Sequence, residues 1–187
     1  MGHASDAAMS LKSNLSWVSK RVLNEIRGKA VLDVGSRNWD MTITNYVKSL
    51  SPQFFCGVDL LAGFGVDAIC GGQDLVSHFG REKFDVTICL EVMEHVKEWR
   101  EVINNLKEVT KIGGLIVLTT RTRDYPVHGY PEDYWRYELE DIESIFEEFH
   151  IEDSFDDSNA KGVYVIARKL KSEINDLSNI NLHSVIA

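Results

Sequence analysis

Between residues 91 and 128, the side chains of Glu91, Glu94, His95 and His128 are candidate proton acceptors or metal ligands. Glu91, Glu94 and His95 are spaced i, i+3 and i+4, so they share one face if this stretch is helical. Together with His128 they could bind a divalent cation. The alternative, which we favour, is a structural Glu-His turn without a metal. In that case His128, His95 and Glu91 remain the candidate general bases.

Two loops earlier in the chain contain residues suited to bind a nucleoside. Gly35 has no Cβ, so its backbone can approach a ligand closely. Ser36 and Arg37 follow it, and the amide groups of the next helix could bind a carboxylate or a phosphate. Asp59, about 25 residues further on, can accept both hydroxyl groups of a ribose. Its alternative role is to cap a turn, but its pairing with the Gly35 loop favours binding.

A third loop offers contacts to a base. Gln73 or Asp74 could hydrogen-bond an exocyclic amine, and Leu75 could pack on a purine ring. The alternative is that Asp74 caps the N-terminus of a helix. Both interpretations remain open.

Strand-like and helix-like segments alternate along the chain, and they must position these loops. Apolar runs predict strands at 30–34, 54–58, 66–69, 84–90 and 115–120, and helical spacing predicts helices at 15–26, 39–50, 99–109 and 139–149. This alternation predicts a mostly parallel sheet between two layers of helices. No helix fits between the last two strands, 151–155 and 163–167, so they form a hairpin. We therefore expect a Rossmann-like α/β three-layer sandwich of about seven strands, one of them antiparallel.

Length and composition indicate one globular domain. The chain has 187 residues, and we predict a flexible N-terminus at 1–9, the domain at 10–170 and a polar tail at 171–187. A net charge of −9 disfavours nucleic-acid binding. No apolar run is long enough for a membrane span, and no secretory signal is visible. The three cysteines lack metal-ligand spacing, which favours free thiols and a cytoplasmic location.

Four motifs in a fixed order resemble a known family. They are Val-Leu-Asp-Val-Gly at 31–35, Gly-Val-Asp at 57–59, Phe-Asp-Val-Thr-Ile-Cys-Leu-Glu-Val-Met-Glu-His-Val at 84–96 and Ile-Gly-Gly at 112–114. Their order and spacing are similar to those of class I S-adenosylmethionine-dependent methyltransferases, in particular the type 11-like group. The resemblance covers roughly residues 30–169, and the predicted final hairpin agrees with this family's sheet.

The resemblance implies a role for several residues. Asp33 and Gly35 would line the methionine end of S-adenosylmethionine, Asp59 would hold its ribose with Leu60 beside the adenine, and Glu91 and Val92 would lie beneath the sulfonium. The chain departs from the family at Arg37 and Trp39, where later glycines are usual. It also departs at Gly71, which replaces an acidic residue and leaves Gln73 or Asp74 as substitutes.

An aromatic segment, residues 125–137, follows the fifth predicted strand. Functionally it suits a lid or an acceptor pocket, with Tyr130, Tyr134 and Arg136 as candidate substrate contacts. The alternative is that Tyr134 and Trp135 pack the segment against the core. Similar segments occur in a subgroup of the family that is associated with sugar or cell-surface metabolism.

These features predict methyl transfer to a small-molecule or glycan-like acceptor, at oxygen or nitrogen. A bound divalent metal is possible but not favoured, and the oligomeric state is left open. One alternative is a short dehydrogenase, which lacks support because the Gly-x-Gly-x-x-Gly fingerprint is absent. The other is a non-catalytic, methyltransferase-like protein that binds a nucleoside or a partner.

Overall fold

The computed structural model describes residues 16–37, 42–129 and 132–185. Its strands are β1 (Ala30–Val34), β2 (Phe54–Asp59), β3 (Ala68–Ile69), β4 (Phe84–Leu90), β5 (Thr110–Arg121), β6 (Trp135–Arg136), β7 (His150–Asp157), β8 (Gly162–Arg168) and β9 (His183–Ser184). Residues 16–21 are helical. The further helices are α1 (Leu23–Ile26), α2 (Thr42–Ser49), α3 (Leu75–Phe79), α4 (Trp99–Val109) and α5 (Leu139–Ile145), with 3₁₀ turns at Gly72–Asp74 and Met93–His95.

Seven of these described strands form one sheet in the order β3-β2-β1-β4-β5-β8-β7. The pairs among β1 to β5 are parallel, whereas β8 runs antiparallel to both β5 and β7. The Rossmann-like architecture and its single antiparallel strand are therefore confirmed. The strand order reverses between β1 and β4, so the loops that follow them open at the crevice where such sheets bind ligands.

Helices cover both faces of the sheet. Neighbouring residues on β1 point to opposite faces, as the pleat requires. Leu32 packs in a core that includes Leu106 of α4, and Val31 packs in a second core that includes Val47 of α2. The apolar runs of the central strands β1 and β4 are thus explained, because both strands are buried on two sides.

The predicted boundaries differ most from the structure at the fifth strand and at the last helix, and the third strand, predicted at 66–69, is only Ala68–Ile69. The fifth strand begins at Thr110 rather than at residue 115. Gly113 adopts a φ of +80°, and the pairing with β4 shifts register between Phe84 and Val86, so the chain extends before it reaches the regular strand. The last helix ends at Ile145 rather than at residue 149.

The C-terminal tail is attached to the body of the domain. Arg100 donates hydrogen bonds to the carbonyls of Leu177 at 2.9 Å and Ile180 at 2.5 Å, and Leu177 is buried. Strand β9 then pairs with β6. The domain boundary at residue 170 remains a prediction, and these contacts anchor the segment beyond it.

None of the helices within 16–37, 42–129 and 132–185 is long and apolar enough to cross a membrane.

Candidate functional site

A cleft of about 520 Å³ opens beside the carboxyl ends of β1, β2 and β4. Seven residues that the sequence singled out line it: Gly35, Asp59, Leu60, Gln73, Val92, His95 and Tyr134. Its volume falls within the range of roughly 300–1,000 Å³ that is usual for small-molecule sites. The cleft therefore lies where the topology predicts a ligand.

The loop after β1 lies directly against the loop after β4. Gly35 adopts a φ of +76°, and a Cβ built on it would lie 2.2 Å from Cγ2 of Val92. Its backbone N–H donates to the carbonyl of Val58 at 2.9 Å. Only glycine allows this conformation and this approach together, so Gly35 fixes one wall of the cleft.

Asp59 and Leu60 occupy the end of β2 and the residue after it. Oδ1 of Asp59 accepts a hydrogen bond from the backbone of Leu61 at 3.0 Å. The turn-capping role that we weighed against binding is therefore observed, and it uses one of the two carboxylate oxygens. Leu60 is 67% exposed, which makes its side chain available to a ligand in the cleft.

Gln73 lines the cleft because of the glycine two residues earlier. A Cβ on Gly71 would lie 2.5 Å from the Gln73 amide, so glycine at this position lets the Gln73 side chain fold back over the backbone. The same amide donates to Asp74 at 3.0 Å. Asp74 is at the N-cap position of α3 without a side-chain capping bond, and it does not line the cleft.

Several residues that we expected at the cofactor lie elsewhere. Leu75 is fully buried in the core, so it cannot stack on a purine. Ser36 is also buried, and its hydroxyl donates to the carbonyl of Val58 at 3.3 Å. Arg37 packs across Gly63, where a Cβ would meet its side chain at 2.9 Å. Ser36 and Arg37 follow the turn at Gly35, where φ is +76°, and neither of them lines the cleft.

Asp33 lies behind the cleft wall and not in the cleft. It is on the face of β1 that α2 covers, where Oδ2 accepts a hydrogen bond from Thr44 at 3.4 Å. Burial raises the pKa of Asp33 to about 7. A direct contact with the methionine end of a cofactor is therefore not supported, and Asp33 instead packs the strand that carries Gly35.

Glu91 is held by two neighbours on β5. Thr119 donates to its Oε1 at 2.8 Å, and Arg121 forms an ion pair with its Oε2 at 2.6 Å. The backbone of Glu91 has a φ of +57°, which turns the chain towards Val92. Glu91 does not line the cleft, whereas Val92 does.

Three of the four candidate metal ligands lie close together beside the cleft: Glu94, His95 and His128. The metal-binding alternative requires this proximity. Glu94 is fully buried, and Thr120 donates to its Oε2 at 2.9 Å. Its Oε1 has no hydrogen-bond partner among the residues that the structure describes, and it lies 3.9 Å from Nε2 of His95 and 4.0 Å from Nε2 of His128. Burial, and then the nearby Glu91 carboxylate, raise the pKa of Glu94 above its ordinary value.

Both histidines are oriented from outside this cluster. Nδ1 of His95 lies 2.5 Å from the carbonyl oxygen of Glu132. Nδ1 of His128 lies 3.2 Å from the Asp133 carboxylate. Burial and the neighbouring His95 lower the pKa of His128, so its imidazole is neutral at pH 7. The Nε2 atoms of both rings therefore face Glu94.

Arg136 is a structural residue, which corrects its expected role as a substrate contact. It is 1% exposed, its guanidinium binds both carboxylate oxygens of Asp133 at 2.5 and 2.8 Å, and it donates to three backbone carbonyls of the segment. Tyr134 lines the cleft, whereas Tyr130 lies outside the described residues. Trp135 is partly buried against the core, as its alternative role predicted.

Sequence reasoning missed part of the cleft. One wall comes from the segment between β4 and α4 and from α4 itself: Val96, Lys97, Glu98, Glu101 and Val102. Gly72 lies against this wall, since a Cβ there would be 2.8 Å from Val102. The helical spacing of 99–109 identified the core face of α4, but it gave no signal that the N-terminal turn borders a ligand.

The fold is an α/β domain with a cleft at the switch point of its sheet, where folds of this kind bind nucleoside-type cofactors. A family model described as "Methyltransferase domain" matches residues 9–165. The chain therefore belongs to this methyltransferase family. No curated protein matches it in sequence.

Solved structures share the fold at low sequence identity. One is an S-adenosylmethionine-dependent methyltransferase from Mesorhizobium loti, with a TM-score of 0.64, 14% identity and coverage of 83% of this chain and 98% of that chain. Another is the 1,6-didemethyltoxoflavin-N1-methyltransferase of Burkholderia thailandensis, determined with 1,6-didemethyltoxoflavin and S-adenosylhomocysteine, with a TM-score of 0.64, 14% identity and coverage of 90% and 87%. A third is the [4+2]-cyclase SpnF, with a TM-score of 0.64, 16% identity and coverage of 83% and 80%. Together with the family, these comparisons support S-adenosylmethionine as the cofactor of the chain.

Proposed function

We propose that this methyltransferase binds S-adenosylmethionine in the cleft between Gly35 and Tyr134 and methylates a small-molecule or glycan-like acceptor at oxygen or nitrogen. The observation that carries the proposal is the close approach of Gly35 to Val92. It brings the loops after β1 and β4 together at the switch point of the sheet, where a nucleoside cofactor binds in this kind of fold.

The residues that line the cleft fit such a cofactor. Asp59 would hold the ribose hydroxyls, because an acidic side chain at the end of the second strand can accept both of them. The exposed Leu60 side chain would cover the adenine, and the Gln73 amide would hydrogen-bond its amine. Gly35 and Val92 would border the methionine portion. The cofactor, when bound, supplies an electrophilic methyl group on sulfur.

The chain itself must position the acceptor and exclude water. An in-line displacement depends mainly on alignment, which a shaped and closed cleft provides. Tyr134 lies where a lid would act, and its backbone N–H donates to the carbonyl of Glu94 at 2.8 Å. Strand β9 supports the same segment, because the backbone of Val185 donates to the carbonyl of Tyr134 at 2.9 Å. The tail thus helps to hold the acceptor side of the cleft.

An acceptor that must lose a proton needs a base near the cleft. Of the three candidates, only His95 lines it. Its Nδ1 is engaged with the Glu132 carbonyl, so Nε2 is the atom that would accept the proton. His128 stands behind it in contact with Asp133, and Glu91 is neutralised by Arg121. We therefore assign the base to His95, with His128 and Glu91 as positioning residues.

The charge of the chain bears on the class of acceptor. A net charge of −9 favours small or uncharged acceptors over nucleic acids. Cys56, Cys70 and Cys89 are free thiols, and we propose a reducing, cytoplasmic setting for them.

The proposal is tested by incubating the purified chain with S-adenosylmethionine and a panel of sugars, phenols and amines, and measuring release of S-adenosylhomocysteine. We expect release that depends on an acceptor. His95→Gln should reduce this release by at least about 100-fold, since general bases contribute roughly 10²–10⁴-fold. Binding of S-adenosylmethionine without release for any acceptor would favour the non-catalytic alternative. Mass spectrometry of the ligand that co-purifies with the chain would then identify what the cleft holds.

A further inference from the structure

The buried oxygen of Glu94 faces two imidazole nitrogens without making a hydrogen bond to either. Polar atoms at such depth are normally satisfied, and an orphaned one calls for a water, an ion or another partner. The ligand atoms of Glu94, His95 and His128 lie within 4.8 Å of one another. We propose that these three residues form a binding site for a late first-row divalent metal ion such as Zn²⁺.

The histidines have the orientation that a metal ligand requires. Metal-bound histidines commonly donate their second ring N–H to a carbonyl or a carboxylate, which fixes the tautomer. The Nδ1 atom of His95 lies against the Glu132 carbonyl, whereas that of His128 lies 3.2 Å from the Asp133 carboxylate without an aligned hydrogen bond among the described residues. Each ring then presents an Nε2 lone pair to the space in front of Glu94.

The surrounding elements hold the three ligands in place. Glu94 is fixed through its other oxygen by Thr120 of β5. Asp133 is itself held by the guanidinium of Arg136. Gly129 lies against the His95 ring, where a Cβ would be 3.2 Å from Cε1. The site is therefore built from β5, the 3₁₀ turn after β4 and the aromatic segment.

The charge around the site suits a cation. Arg121 is paired with Glu91 at 2.6 Å, and Arg136 is paired with Asp133 at 2.5 Å. The charges balance within each of these two pairs, so Arg121, which Glu91 already engages, offsets the charge of the Glu94 carboxylate only in part. The competing partner is Arg121, whose Nε lies 3.7 Å from Glu94 Oε1. That distance is too long for a hydrogen bond. If the Arg121 side chain moved to bind Glu94 directly, no space would remain for an ion.

The ligand chemistry selects the metal. Two imidazoles and one carboxylate suit Zn²⁺, Fe²⁺ or Co²⁺, whereas Mg²⁺ prefers oxygen ligands. Three protein ligands leave at least one coordination position open, as in catalytic zinc sites. Because His95 also lines the cleft, the open position would be accessible from it. A bound ion would occupy Nε2 of His95, so that nitrogen would no longer accept a proton, and a hydroxide on the ion, which becomes water when it is protonated, would serve as the base.

The test measures metal binding directly and without S-adenosylmethionine, so it is independent of the proposed methyl transfer. The full chain is stripped with a chelator and titrated calorimetrically with Zn²⁺ and, separately, with Mg²⁺. We expect one Zn²⁺ per chain and no comparable Mg²⁺ binding. His95→Gln, His128→Gln and Glu94→Gln should each weaken Zn²⁺ binding by at least about 100-fold, since even second-shell partners are worth roughly 10–100-fold. The control His150→Gln removes an exposed histidine on β7 and should bind as the wild type does.

A second measurement needs no variant and covers the case in which a substitution unfolds the chain. In the Co²⁺ complex of the wild type, NMR should show two exchangeable, strongly shifted N–H signals, one from each imidazole that binds through Nε2 and keeps its Nδ1 proton. Absence of stoichiometric Zn²⁺ binding would overturn the proposal. So would a Co²⁺ complex without these signals, or Zn²⁺ affinities in folded ligand variants that equal the wild-type value.

Discussion

Gly35→Ala should damage both stability and cofactor binding, for two separable reasons. At a φ of +76° an L-residue is strained, and the new Cβ would lie 2.2 Å from Cγ2 of Val92. The backbone strain costs about 1–2 kcal/mol, and overpacking adds about 1–3 kcal/mol. We therefore expect the free energy of unfolding to fall by roughly 2–5 kcal/mol.

Gly28→Ala is the matched control for the backbone term. Gly28 has a φ of +69°, and a Cβ built on it meets nothing within 4 Å. Its loss of stability should be about 1–2 kcal/mol from strain alone, with cofactor affinity unchanged. The difference between the two variants then measures the contact with Val92.

The double variant Gly35→Ala, Val92→Ala removes the Cγ2 atom that the new methyl group would strike. The next atom of Val92, its Cβ, lies at 3.5 Å, an ordinary contact, so most of the overpacking cost should be recovered. Urea unfolding gives the stabilities, and calorimetry with S-adenosylhomocysteine gives the affinities, which should fall at least about tenfold in Gly35→Ala. If Gly35→Ala were no less stable than Gly28→Ala and bound the ligand equally well, the reasoning about this contact would be refuted.

Three further predictions concern single side chains. Asp59→Asn keeps an oxygen for the Leu61 turn but loses the charge, so calorimetry should show S-adenosylmethionine affinity reduced by roughly 10–100-fold, with unchanged melting. Lys107→Met removes the buried ammonium that donates to Glu148 at 2.8 Å, and urea unfolding should show a loss of about 3–5 kcal/mol, whereas Lys83→Met on the surface should not. Asp33→Asn tests the raised pKa of Asp33. In the folded chain this pKa is about 7, whereas its ordinary value is 3.8. The protonated side chain therefore contributes its full stability below pH 3.8, and this contribution is lost as the pH rises to about 7. The unfolding free energy of the variant relative to wild type should therefore increase by up to about 4 kcal/mol across that window, and a pH-independent difference would contradict it.

The strongly patterned parts of the fold were predictable from the sequence. The bounds of β1, β4 and α4 coincide with those expected, because continuous apolar runs and a clean helical period leave little ambiguity. Strand β9 was not predicted. Its two residues are exposed and have no apolar pattern. Its pairing with β6 depends on the path of the C-terminal tail across the domain, which only the tertiary structure shows.

The sequence predicted which loops border the cleft, but it did not always predict which of their side chains face it. Gly35 and Asp59 follow strands, so topology placed them at the cleft. Arg136 was misassigned because an arginine beside aromatic residues suggests a ligand contact, whereas its partner is Asp133, three residues earlier. That i, i+3 pairing was a signal present in the sequence. Leu75 was misassigned because no local pattern distinguishes a core leucine from one in an adjacent cleft.

The central claim is most directly tested by calorimetry of the full chain with S-adenosylmethionine, S-adenosylhomocysteine and NAD. We expect both sulfur nucleosides to bind with one site per chain, Asp59→Asn to weaken both, and NAD not to bind. Absence of binding by either sulfur nucleoside to folded protein, or binding of NAD in their place, would contradict the account.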